Sequence, residues 1–283
     1  MEQDRGPDLM QIEVIDDCSS DDVQSVVEAV GRGRVKFWRQ QSNVGAIKNF
    51  NSCVERSLGG LVHILHGDDF VLPGFYSEIE LMAETHQEAA LLAARSFFVD
   101  EDEVILNLTQ RLRSLERPSN CCAEMFYQNN LQFASVVVRK NFYKTHGGFL
   151  EPLFHTADWE MWTRAIFFGK GVVSPRVLAA YRVFEGNDTS KLARTASNLE
   201  DLLRLSEVLQ ARHAEYRKRL AVRHAVNVSW RQFLQFSAQG DAAAARANLN
   251  FWRAHATPSD KIFAILRRWA ATLRDQLDRI LNV

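Results

Sequence analysis

The chain has 283 residues, 46% hydrophobic and 24% charged, which suits a globular protein with a full core in one or two domains. Lys and Arg number 34 against 35 Asp and Glu, for a net charge of -1, so the basic excess of a nucleic-acid binder is absent and no nucleic-acid partner is expected. No apolar run is long enough to span a bilayer, and no signal peptide is expected ahead of the first strand.

Met1 to Met10 reads as a polar loop, and Ile12 to Ile15 as a strand that ends in Asp16-Asp17. Asp21 to Val30 reads as a helix capped by Ser19 or Ser20. Val35 to Trp38 is a short strand, Gly45 to Leu58 a helix, and Gly59-Gly60 its end. Leu61 to Leu65 is the next strand, and His66-Gly67-Asp68-Asp69 follows it. Pro73 opens a helix that runs to about His86, and Ala89 to Val99 is extended. Such alternation predicts a mostly parallel sheet with helices on both faces.

Further on, Phe133 to Arg139 reads as a strand, Gly147-Gly148 as a turn and Asp158 to Phe168 as a helix. Gly171 to Val173 leads into an extended stretch that ends near Phe184. After about Lys191 the pattern is helical throughout, so residues 1–190 form an α/β domain and 191–283 a helical extension. In its last helix Ile262, Leu266, Trp269, Leu273, Leu277 and Ile280 form an apolar stripe with arginines around it. The stripe either packs on the preceding helices or docks at an anionic membrane surface. Cys18, Cys53, Cys121 and Cys122 have no metal-ligand spacing and read as reduced thiols, which points to a cytoplasmic protein, peripheral at the inner face of the membrane if the stripe docks.

Two acidic clusters, Asp16-Asp17 and Asp68-Asp69, each follow a buried strand. Like charges this close need a cation or donor groups to relieve them. On one parallel-sheet edge they would form a site for a ligand that brings a divalent cation, such as a sugar nucleotide.

Four ordered segments resemble the family 2 inverting glycosyltransferases, which have the GT-A fold. Val14-Ile15-Asp16-Asp17-Cys18-Ser19-Ser20-Asp21 is similar to the motif that holds the donor's base and ribose. Asn43-Val44-Gly45-Ala46-Ile47-Lys48-Asn49 resembles the family's Asn-x-Gly…Arg-Asn segment. Leu65-His66-Gly67-Asp68-Asp69 stands where the family carries its metal-binding acidic motif. Asp158-Trp159-Glu160-Met161-Trp162 resembles the segment that supplies the catalytic base.

The resemblance implies a sugar transfer from a nucleotide-diphosphate donor to a glycan or lipid-linked acceptor. Asp16, Asp17, Asn43, Gly45, Lys48, Asn49, Asp68 and Arg182 would then bind the nucleotide sugar. Asp69, with Asp68 beside it, would hold Mg2+ or Mn2+ against the leaving diphosphate. Asp158 would deprotonate the acceptor hydroxyl. It also implies that the family's usual first strand is missing here. The sequence departs from the family at His66, where another Asp is usual, and at Phe184, where a His is common.

Plainer readings stand beside these. Asp16-Asp17 and Asp158 can cap or turn the chain, and Lys48 can be a solvated helix residue. Arg182 can serve an ion pair, and Trp159 and Trp162 can be core rather than sugar platforms. A nucleotide-binding or scaffold protein of the same fold without turnover is the alternative function.

Overall fold

The computed structural model describes residues 2–120, 123–184, 186–214 and 216–262. The chain divides into two compact units, residues 1–187 with 211–216 and, within the described chain, 188–210 with 217–262.

The first unit holds two sheets. Strand β1 (Glu13–Asp16) pairs in parallel with β2 (Lys36–Arg39), with Ile15 opposite Trp38 and Asp16 opposite Arg39. The second sheet has six strands: β3 (Leu61–His63), β4 (Phe70–Val71), β5 (Leu91–Val99), β6 (Ile105–Leu108), β7 (Val136–Arg139) and β8 (Gly171–Arg182). Its order is β3-β7-β5-β8-β4, with β6 also on β5.

This sheet is mixed rather than mostly parallel. Among the described residues only β5 and β8 run parallel, while β3–β7, β5–β7, β5–β6 and β4–β8 are antiparallel. Strand β7 follows a 3-10 turn at Phe133–Ser135 instead of a crossover helix, so its direction is not constrained to match its neighbours. The two acidic clusters therefore do not share one parallel edge. Asp16-Asp17 ends β1 in the small sheet, and Asp68-Asp69 lies in the turn between β3 and β4 in the large one.

Helix α1 (Val23–Gly31) is capped by Asp22, whose carboxylate accepts the Ser25 N–H at 3.2 Å and the Ser25 hydroxyl at 2.6 Å. Ser19, an expected cap, instead gives its N–H and hydroxyl to Asp16. Helices α2 (Ala46–Arg56) and α3 (Phe75–Thr85) follow, then α4 (Lys140–His146) and α5 (Ala157–Gly169).

Phe75, Ile79 and Met82 of α3 pack against Leu92 and Ala94 of β5, Val137 of β7, and Val172 and Leu178 of β8. That apolar layer holds the sheet rigid beneath the loops. Beside it His63, packed against Phe75, bridges the Tyr76 hydroxyl and the Ala134 carbonyl, each at 3.1 Å. A carbonyl only accepts, so Nε2 carries the proton and Nδ1 accepts from Tyr76.

The second unit is helical, with α6 (Asp188–Thr195), α7 (Ser197–Arg212, whose last two residues group with the first unit), α8 (Lys218–Ala238) and α9 (Ala242–His255). Ala196, Leu199, Ala225 and Phe251 form its buried centre. Asp241 caps α9 through the Ala244 N–H and pairs with Arg194. No helix among the described residues is long and apolar enough to cross a membrane. Beyond Ile262 the apolar stripe lies outside the described residues, as do Cys121 and Cys122. Cys18 and Cys53 are free thiols.

Candidate active site

The end of β1 is tied to the start of α2. Asp16 is buried, accepts the Ser19 N–H and hydroxyl at 3.2 and 2.5 Å, and pairs with Arg39 at 3.2 Å. Asp17 accepts the backbone N–H groups of Val44 and Gly45 at 2.8 and 2.9 Å. Asn43 donates back to the Asp17 carbonyl at 3.0 Å, and Asn49 to the Ile15 carbonyl at 3.1 Å. Cys18 between them sits at φ +61°, a left-handed conformation that tightens the turn.

Five of the residues assigned to the nucleotide, Asp16, Asp17, Asn43, Gly45 and Asn49, thus converge on one junction. Lys48 does not join them. Its ammonium is exposed and lies 3.8 Å from Glu151.

The second group gathers around Asp69. Its side chain is shut off from solvent, and Oδ1 accepts the Arg182 N–H at 2.9 Å. Oδ2 has no hydrogen-bond partner, and the His66 ring faces it with Nδ1 at 3.8 Å. Burial pushes the Asp69 carboxyl up to about 7; the Arg182 N–H opposes this and the neighbouring Asp68 charge adds to it. His66, Asp68 and Asp69 each offer one ligand atom, and these atoms lie within 4.8 Å of one another.

A buried carboxylate oxygen without a donor, beside a second carboxylate and an imidazole, fits a divalent cation: the cation would restore the interaction that Oδ2 lacks.

Arg182 braces this loop. Its guanidinium donates to the carbonyls of Asp68, Asp100 and Glu101 and pairs with Glu103 at 3.0 Å. It holds the loop 100–103 against the Asp68 turn, which is the plainer of its two readings.

The third group is at the start of α5. Thr156 is the N-cap residue, so Asp158 lies inside the first turn rather than capping it. Its Oδ2 accepts the Asn129 side-chain amide at 2.9 Å, and Oδ1 accepts the Trp159 N–H at 2.6 Å. A carboxylate in the first turn is favoured by the helix dipole. Nothing in the sequence marked Asn129, which sits in an irregular stretch 29 residues away.

The elements that carry the three groups are joined by one aromatic cluster. Phe50 of α2 stacks on His66 with centroids 5.1 Å apart, and Phe133 contacts both Phe50 and His66. Trp162 of α5 meets Phe133 edge-on at 5.3 Å. Trp162 is 1% exposed and Trp159 donates its ring N–H to the Met125 carbonyl, so both tryptophans are core.

Below Asp158, Glu160 is fully buried between Arg164 at 2.9 Å and Arg212 at 2.5 Å. Arg164 also donates to the carbonyls of His146, Gly147 and Gly148. A side chain at Gly148 would sit 2.2 Å from Asn51 Oδ1, which explains that glycine. Asn51 in turn accepts the Phe149 N–H at 2.8 Å and donates to its carbonyl at 3.0 Å.

The sequence profile of glycosyl transferase family 2 matches residues 2–142. An uncharacterized protein of Mycobacterium tuberculosis, MT1568, is 26% identical over 209 residues, 69% of this chain and 65% of its own length. The succinoglycan biosynthesis protein ExoU of Rhizobium meliloti is 26% identical over 216 residues, 72% of this chain and 61% of its own. The chain thus spans less than two thirds of the length of both relatives.

Among solved structures, the mannosyltransferase PcManGT from Pyrobaculum calidifontis, in complex with GDP-Man and Mn2+, superposes with a TM-score of 0.56 at 15% identity. That match covers 96% of this chain and 73% of the other. TarS of S. aureus in complex with UDP gives 0.54 at 16% identity, over 82% of this chain and 65% of the other. At such identities the likeness establishes the fold, which is of the GT-A type.

Proposed function

The chain belongs to glycosyl transferase family 2 through residues 2–142, and we propose that it moves a sugar from a nucleoside-diphosphate donor to a glycan or lipid-linked acceptor with inversion. The carrying observation is the buried, unpartnered Asp69 oxygen beside Asp68. Such a group is matched by the cation that a diphosphate brings. The ligands in the two solved structures, UDP in one and GDP-Man with Mn2+ in the other, support the same reading.

Asp69 and Asp68 would hold Mg2+ or Mn2+. When bound, the cation supplies positive charge against the charge that develops on the leaving diphosphate. The junction of Asp16, Asp17, Asn43, Gly45 and Asn49 would seat the nucleoside, its shape set in advance by the hydrogen bonds described above. Asp158 would take the proton of the acceptor hydroxyl as the new glycosidic bond forms and the diphosphate departs. Asn129 orients that carboxylate.

Thermal shift with UDP and GDP, with and without Mn2+, tests the proposal, since a ligand that binds only the folded state raises Tm. One nucleotide should stabilise the protein in a metal-dependent way, and Asp69→Ala should remove that dependence. Equal metal-dependent shifts in wild type and Asp69→Ala would take Asp69 out of the site.

A further inference from the structure

We propose that His66 is itself a metal ligand, which makes the loop a nitrogen–oxygen site that selects transition-series ions over Mg2+. The inference rests on the reading of this loop as a cation site. It goes beyond that reading in assigning a role to the one residue where the sequence departs from the all-carboxylate pattern.

The geometry carries it. His66 Nδ1 lies 3.8 Å from Asp69 Oδ2, and the ligand atoms of His66, Asp68 and Asp69 fall within 4.8 Å of one another. A six-coordinate ion with bonds of about 2.1 Å places adjacent ligand atoms about 3 Å apart and opposite ones about 4.2 Å apart. The 3.8 Å separation falls between these two distances and the 4.8 Å limit is little beyond the larger, so side-chain movements of about an ångström close the site.

The acidic pair alone would not suffice as evidence. The second observation is that Asp69 is only 8% exposed and its Oδ2, on the side of His66, has no hydrogen-bond partner. Packing holds the imidazole in this place. The ring stacks on Phe50 with an interplanar angle of 12°, and Phe133 lies 4.4 Å from it, centroid to centroid. A ligand held in place by aromatic neighbours loses little side-chain entropy when an ion arrives.

Chemistry sets the preference. Mg2+ takes oxygen ligands and gives up its waters reluctantly, whereas ions of the transition series accept imidazole readily. Replacing a carboxylate by an imidazole also removes one negative charge from the site, which weakens a purely electrostatic hold on Mg2+.

The test uses Mn2+ as the probe on the full chain, with UDP or GDP present. Protein labelled with 15N only at histidine is compared with unlabelled protein by pulsed electron paramagnetic resonance. Coupling of the Mn2+ electron spin to 15N in the labelled sample is the expected result, and it requires no variant to fold. Loss of the conserved partners of metal ligands typically costs 10–100-fold in affinity, so His66→Ala should weaken Mn2+ at least about tenfold. His66→Asp should raise the affinity for Mg2+ relative to Mn2+. Mn2+ binding without histidine coupling overturns the ligand role and leaves the cation role of Asp68 and Asp69 standing. Absence of any Mn2+ binding with either nucleotide overturns both.

Discussion

The Asp17 carboxylate accepts the Gly45 N–H at 2.9 Å and thereby pins the start of α2 to the end of β1. Gly45 makes this possible with φ +88° and ψ 154°, a region that side chains avoid. A Cβ there would meet nothing within 4 Å, so the only obstacle to a side chain is backbone strain. Gly45→Ala should therefore cost about 1–3 kcal/mol in urea unfolding, and weaken nucleotide binding because the junction shifts. An unchanged urea midpoint would show that the junction adapts without strain.

Acid should destabilise the first unit through His63. Burial lowers its pKa from the ordinary 6.5 to about 4. The unfolded chain therefore binds a proton that the folded protein refuses between those values. With more protons on the unfolded state, stability rises with pH across this window and is lost as pH falls from 6.5 towards 4. His63→Phe keeps the ring and removes the titration. Its unfolding free energy should vary less between pH 6.5 and 4 than that of wild type. Equal slopes would assign the acid sensitivity to other groups.

The elements with strong local signals, α2, α3, α5, β1 and β5, were legible from periodicity and from glycines and prolines at their ends. Which strands pair, and in which direction, was not. Strand β4 is two residues long and β6 is exposed throughout, so neither leaves a buried pattern in the sequence. The acidic pairs were visible as chemistry, but their separation into two sheets depends on partners far along the chain. The same holds for Ser19, which is drawn to Asp16 and leaves capping to Asp22. His66 stands out in the sequence as a departure, yet its neighbours Phe50 and Phe133 become visible only in three dimensions.

Arg164 should be the most sensitive charged side chain of α5. It is 3% exposed, pairs with Glu160 and satisfies three carbonyls in the Gly147-Gly148 turn. Breaking a buried pair from one side leaves an uncompensated charge and typically costs about 3–5 kcal/mol. Arg212 remains beside Glu160 and softens that loss, while the three turn carbonyls lose the Arg164 donors. Arg164→Ala should lower the unfolding free energy, measured by urea denaturation, by an amount of that order. A change below about 1 kcal/mol would mean that water replaces the guanidinium at little cost.

Asp158→Asn tests the assigned base. The substitution keeps size and removes basicity, so turnover should fall while donor binding persists. Both carboxylate oxygens accept hydrogen bonds, from Asn129 at 2.9 Å and from the Trp159 N–H at 2.6 Å. An amide has one accepting oxygen, so one of these contacts is lost, at a stability cost of about 1 kcal/mol. Turnover must therefore be expressed per folded protein, with folding checked by thermal unfolding. The assay is release of nucleoside diphosphate from the donor that thermal shift selects. General-base catalysis contributes about 10²–10⁴-fold, so the variant should retain no more than about a hundredth of wild-type turnover with donor affinity nearly unchanged. Asn129→Ala leaves the base in place but frees its orientation, and should lower kcat less than Asp158→Asn does. If Asp158→Asn keeps more than about a tenth of the wild-type rate, another group takes the acceptor proton.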